Sequence, residues 1–141
     1  MNATGNTRHP GPADGLLVGC QNYPAAIRKV EEMVQAWRRT GSGDARGRDI
    51  EFWDSATAQT LGSYLHAAAL SGLPASSAAA WLAGPACSAT AVEILATHPG
   101  ACRQAAASLR TLLDPRPSKT AQTIRCMAAV VFAHSAGHRL G

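Results

Sequence analysis

A chain of 141 residues has room for one domain with a core of its own. Hydrophobic residues make up 46% and aromatic ones 5%, so that core must be built from Ala, Leu, Val and Ile, a composition that favours helix over strand. The net charge of +4 is compatible with nucleic acid or an acidic protein partner, and no apolar run approaches the roughly 20 residues of a membrane span.

Residues 1–20 are rich in Gly, Pro and Asn and show no periodicity; they are expected to be a disordered leader with no apolar core for a secretory signal. A first helix should run from about Asn22 to Arg39, capped by Asn22 or Gln21, with Pro24 in its first turn. Ile27, Val30, Val34 and Trp37 recur at helical spacing, with Met33 beside them, and place one face in the core. The segment TGSGDARGR, 40–48, reads as an exposed linker. Its glycines do not make a phosphate loop, which needs G-x-x-x-x-G-K-(S/T) after a buried strand.

A second long helix is predicted from about Ile50 to Ser71, stopped by Gly72 and Pro74. Trp53, Thr57, Leu61, Tyr64, Leu65 and Ala68 share a broad face, and Gly62 invites close approach of a neighbour. Phe52 and Trp53 are adjacent and point in different directions, one expected in the core and the other clamping a flanking segment. Shorter helices should follow over Ala75–Leu82, Ser88–Thr97 and Gly100–Leu113. The last should run from Ser118 or Lys119 to about His134, with Ala121, Ile124, Ala128 and Val131 inward, leaving 137–141 as a frayed tail. The expected architecture is therefore an all-α compact bundle of five to six helices, two or three of them long, over 21–136.

Little in the chain assembles chemistry. Cys20, Cys87, Cys102 and Cys126 form no CxxC pair, and the nearest metal-like spacing, His98 to Cys102, is interrupted by Pro99. Buried free thiols are the expectation, with no metal and no cofactor. His66 sits among alanines with no carboxylate three or four residues away, which points to a packed histidine and not a catalytic one. His98, before Pro99, is placed to close a helix end.

Three segments carry a family resemblance. FWDSATAQTLGSYLHAAALSG, 52–72, resembles a segment of the form FW-(D/E)-x-A-x-x-x-(L/Q)-L-x-x-(L/Y)-LHAAAL-(S/G)-G. GCQNYPAAIRKVEEMV, 19–34, is similar to a GC-x-(D/N)-x-x-x-A-I-R-(R/K) lead-in. WLAGPACSATAVEILATHPGA, 81–101, is similar to W-(V/L)-x-x-P followed by (E/A)-IL-x-x-HP-x-A. All three patterns belong to the all-alpha domain of TraG/TraD-type coupling proteins, actinobacterial members in particular. These ATPases deliver substrates to type IV secretion and conjugation channels.

The resemblance covers roughly 15–135, and it implies a substrate-recognition module without ATPase activity of its own. The Walker A and Walker B elements and the membrane anchor of that family are not matched. The chain reads either as one domain of a coupling protein or as a free-standing relative. Expected partners are a relaxase, accessory protein or secreted substrate, the coupling ATPase motor in cis or in trans, and DNA without sequence preference. The expected location is cytoplasmic, held at the membrane's cytoplasmic face only through a parent complex. Arg28, Arg38, Arg39, Arg46 and Arg48 would form an electropositive rim for the partner. The alternative is a helix-turn-helix DNA-binding protein, with residues 88–113 as two short helices joined by His98-Pro99-Gly100 and with Arg103, Gln104 and Arg110 facing the groove.

Overall fold

The computed structural model of the chain describes residues 12–39, 49–83, 88–112 and 119–140. A 310 helix (Pro12–Leu17) is followed by α1 (Tyr23–Arg39), α2 (Asp49–Ser71), α3 (Ser76–Leu82), α4 (Ala89–Thr97), α5 (Arg103–Leu112) and α6 (Lys119–Leu140). The described residues contain no strand, and the protein is an all-α bundle.

The bundle is organised around α2, which touches every other element. Thr57, Ala58 and every residue from Thr60 to Ala68 are buried. A helix buried on all sides is the core of its bundle, so the broad inward face expected from the sequence is in fact the whole circumference. α1 lies antiparallel to α2. Tyr23 meets Ser63 near the start of α1, Ile27 packs on Gly62, and Arg38 near its end reaches Asp54. At Gly62 the two backbones approach closely: a β-carbon there would lie 3.3 Å from Ile27 Cγ1 and 3.5 Å from Ile27 Cα.

Local sequence sets the helix ends. Asn22 caps α1 by accepting the Ala25 N–H at 2.9 Å, which satisfies one of the free donors of the first turn. α2 ends where Gly72 takes φ +71°, the left-handed turn that a Cβ disfavours. The Leu73 N–H then donates to Ala68 O at 2.9 Å and the Gly72 N–H to Ala69 O at 3.5 Å, closing the last turn.

Three expectations are corrected. Residues 12–20 are not part of a disordered leader: the 310 helix and the turn after it bury Leu16 and Cys20. Cys20 Sγ donates back to Leu16 O at 3.1 Å, and Lys29 Nζ donates to Gly15 O at 3.3 Å. A six-residue 310 turn is too short to show a 3.6 period, so the apolar run Leu16-Leu17-Val18 was the only signal. α5 starts at Arg103, because residues 98–102 form a turn that the Gly100 start had placed in the helix. α6 continues to Leu140, through residues expected to fray after His134. Residues 1–11 and 40–48 lie outside the described residues.

Polar groups carried into the core by α2 are paired. The Tyr64 hydroxyl lies 2.8 Å from Ser88 Oγ, and Ser88 donates its single hydrogen to Trp81 O at 2.7 Å. Tyr64 must therefore be the donor to Ser88, and this relay ties α2 to α3 and to the start of α4. Burial pushes the Tyr64 pKa up, against the opposing effects of Ser88 and Arg125. The Ser63 hydroxyl donates to Gln59 O at 2.6 Å, beside the Tyr23 hydroxyl.

The Gly62 contact is directly testable. Gly62→Leu is expected to destabilise by about 1–3 kcal/mol, because the added atoms must displace Ile27 and the α1 backbone. Gly62→Ala should come close to neutral, since roughly 1 kcal/mol of helix propensity offsets a 3.3 Å contact with a side-chain methylene. Denaturant melts of both variants check this; equal destabilisation by Ala and Leu would contradict it.

Candidate functional site

The expected electropositive rim is not assembled among the described residues. Arg28 and Arg39 are exposed on α1, but Glu31 and Glu32 lie exposed between them, so that surface carries mixed charge. Arg38 is already engaged. Its Nε sits 3.0 and 3.1 Å from the two Asp54 carboxylate oxygens, Nη2 donates to Oδ1, and its guanidinium lies 5.4 Å from the Trp37 ring centroid. With 13% of its side chain exposed, Arg38 is a tie between α1 and α2 and not a free docking charge. The groove beside it is lined by Glu31, Glu51 and Asp54 among others, the opposite sign to the expected rim. Arg46 and Arg48 lie outside the described residues.

The alternative set is better placed. Arg103, Gln104 and Arg110 are all exposed on α5, whose other side buries Ala105, Ala106 and Leu109. α5 packs against α2 and α4 and leaves these three side chains in solvent. Its sequence, RQAAASLRTL, carries no acid. Of the aromatic pair, neither member fills the core. Phe52 is 53% exposed, Trp53 is half-buried, and the rings meet edge to face with centroids 4.8 Å apart. Trp37 and Trp81 are buried.

The most specific polar geometry in the molecule is a junction centred on His66, which is 1% exposed. Its Nδ1 lies 2.8 Å from the Cys20 carbonyl and its Nε2 accepts the Cys102 N–H at 3.2 Å. A carbonyl cannot donate, so Nδ1 carries the hydrogen and the ring is neutral, with both nitrogens satisfied. The Tyr23 ring packs at 5.5 Å from the imidazole. Gly19 presents the Cys20 carbonyl through a φ of +81°. On the other side, residues 98–102 present the Cys102 amide. There the His98 N–H closes α4 on Ile94 O at 2.8 Å, and His98 Nδ1 accepts the Gly100 N–H at 2.9 Å. His66, in the LHAAAL run, thus joins Cys20 to Cys102, the residue that follows the turn His98-Pro99-Gly100-Ala101.

Sequence spacing placed His66 as a packed histidine. It could not find the partners, which are backbone groups 46 and 36 residues away and leave no trace in residue type. Burial pushes the Cys20 thiol up, with Lys29 opposing, so the thiol stays protonated and donates to Leu16 O. Among the described residues no His, Cys, Asp or Glu trio is placed to hold a metal ion. Among the described residues the free cysteines differ in exposure: Cys20 is buried, Cys102 half-buried and Cys126 exposed, the last against the expectation of buried thiols, while Cys87 lies outside the described residues. No helix of the described residues is long and apolar enough to cross a membrane.

Burial lowers the His66 pKa below the ordinary histidine value; the bond to Cys20 opposes this and charge at His98 adds to it. A folded-state pKa below the unfolded one means that the unfolded chain binds the proton more readily. Stability is then full above the ordinary value of about 6.5 and is lost as pH falls towards the folded value. The expected His66 contribution to stability is flat above neutrality and declines through the mildly acidic range. His66→Ala should remove that part of the decline and cost about 1–3 kcal/mol for each buried backbone group left unpaired. An unchanged acid limb in the variant would assign the decline to other groups. No family model, curated protein or solved structure matches the chain.

Proposed function

We propose that this protein is a recognition module of a DNA- or protein-transfer apparatus, related to the all-alpha domain of TraG/TraD-type coupling proteins. In that role it binds a relaxase, accessory protein or secreted substrate and leaves ATP hydrolysis to a separate motor. One observation supports the reading: His66, in the LHAAAL run, bonds the Cys20 carbonyl of the lead-in segment and the amide of Cys102, the residue directly after the third segment. The recognition itself then falls to exposed surface, because the junction is sealed from solvent.

The exposed face of α5 favours a second reading, in which Arg103, Gln104 and Arg110 contact nucleic acid. Two arginines without a neighbouring acid on their helix suit phosphate contacts, and a largely alanine helix offers few donors for base edges. This reading therefore predicts non-specific, salt-dependent binding.

One experiment separates the two. The tagged protein is used as bait in host lysate with and without nuclease, and the captured proteins are identified by mass spectrometry. Nuclease-resistant recovery of a relaxase or a P-loop motor subunit supports the transfer reading. If only nucleic acid and its passengers are recovered and both vanish after nuclease, that reading falls and the DNA reading stands. In the second case Arg103→Glu with Arg110→Glu should weaken duplex binding and lower its salt dependence, at unchanged helicity.

A further inference from the structure

An open groove of about 460 Å³ runs between the last turns of α1 and the first half of α6. Its lining changes character along α6. Lys119, Gln122 and Thr123 come first, followed by Cys126, Met127 and Val130, with Trp37 of α1 as the facing wall. At 1.5 Å per residue, Lys119 and Val130 are roughly 16 Å apart along the helix axis. The polar end carries the ammonium of Lys119 and coincides with the start of α6, where the helix dipole also favours negative charge. The apolar end leaves Val130 48% exposed beside the aromatic wall. The Trp37 ring is not loose: Arg38 lies over it and is itself fixed by Asp54. No acid lines the groove among the described residues.

The size of the groove chooses between occupants. A stable dimer interface covers about 800 Å² on each partner, far more than one short groove supplies. Pockets that take small molecules span roughly 300–1,000 Å³ and combine apolar walls with a few polar groups at one end. We propose that this groove binds a small amphiphilic anion, an aliphatic chain bearing one carboxylate. The carboxylate sits at Lys119, Gln122 and Thr123, and the chain lies over Cys126, Met127 and Val130 against Trp37. This site is independent of the transfer-system reading, and either can fail without the other.

The test is titration of the full chain with decanoate, followed by calorimetry and by the rate at which the exposed Cys126 thiol is alkylated. Single-site saturation is expected, with alkylation slowed at saturation because the chain covers Cys126. Val130→Glu should weaken decanoate at least tenfold by placing a charge in the apolar end. Lys119→Met should weaken decanoate several-fold while leaving decanol binding unchanged. Both side chains are exposed, so the fold should persist, and far-UV circular dichroism with a thermal melt verifies it. Absence of saturable binding, or equal affinity in Val130→Glu, overturns the site. Equal affinity for decanol and decanoate with no effect of Lys119→Met overturns the anionic ligand class. A concentration-independent dimer that shields Cys126 without ligand assigns the groove to a second copy and overturns the proposal as well.

Discussion

Everything in this fold depends on a single helix being buried around its whole circumference. α2 has no solvent face between Thr60 and Ala68, so each side of it must be matched by a different neighbour. The matches are chemically distinct. Gly62 admits the α1 backbone, Tyr64 reaches α3 and α4 through Ser88, and His66 holds the turns at Cys20 and Cys102. Thr57 faces Met127 of α6, with its Oγ1 3.8 Å from the sulfur. Burial of apolar area drives such a bundle together, but alanine-rich surfaces pack in many registers with similar energy. A buried hydrogen bond adds only about 1 kcal/mol net, and leaving its partner unmade costs up to about 3 kcal/mol. The polar contacts of α2 therefore do less to drive collapse than to select which arrangement survives it.

That division explains what could be read from the sequence. Helix existence and most boundaries were legible because their causes are local: Asn22 as a cap, Gly72 as a left-handed stop, the prolines as breaks. The inward positions of α1 and α6 followed from periodicity, and Val30, Val34, Ile124, Ala128 and Val131 are buried as their spacing requires. Three-dimensional pairing was not legible. The Arg38–Asp54 pair joins residues 16 apart across a helical hairpin, and nothing in the sequence distinguishes Arg38 from the exposed Arg39 beside it except which way each faces. The ordered turn at Leu16 and Cys20 is held by contacts with α6 and α2, made far along the chain, so its local composition misled.

The same reasoning bears on the motifs behind the functional reading. A histidine flanked by alanines, a Gly-Cys pair and a His-Pro-Gly turn look like unrelated short matches, each weak. Joined through one imidazole, they become parts of one structural requirement: a neutral histidine must find one acceptor and one donor, and these are supplied by two turns of the backbone. The junction is part of the scaffold and says little about what the surface binds.

Surface chemistry, accordingly, has to be argued on its own terms. The net charge of +4 is unevenly distributed: α1 carries Arg28, Lys29, Arg38 and Arg39 against Glu31 and Glu32, with Arg38 paired to Asp54, and the cleft it forms with α2 is lined by acids. Long-range steering of a negatively charged partner is weakened on α1, where Glu31 and Glu32 offset Arg28 and Lys29 within roughly a Debye length of about 8 Å at physiological salt. It falls to α5, where Arg103 and Arg110 stand without acidic neighbours on their helix, and to Lys119 at the head of α6. Within the described residues, the exposed cations of α1, Arg28 and Arg39, share their helix with Glu31 and Glu32, whereas Arg103, Arg110 and Lys119 stand on helices that present no acid beside them.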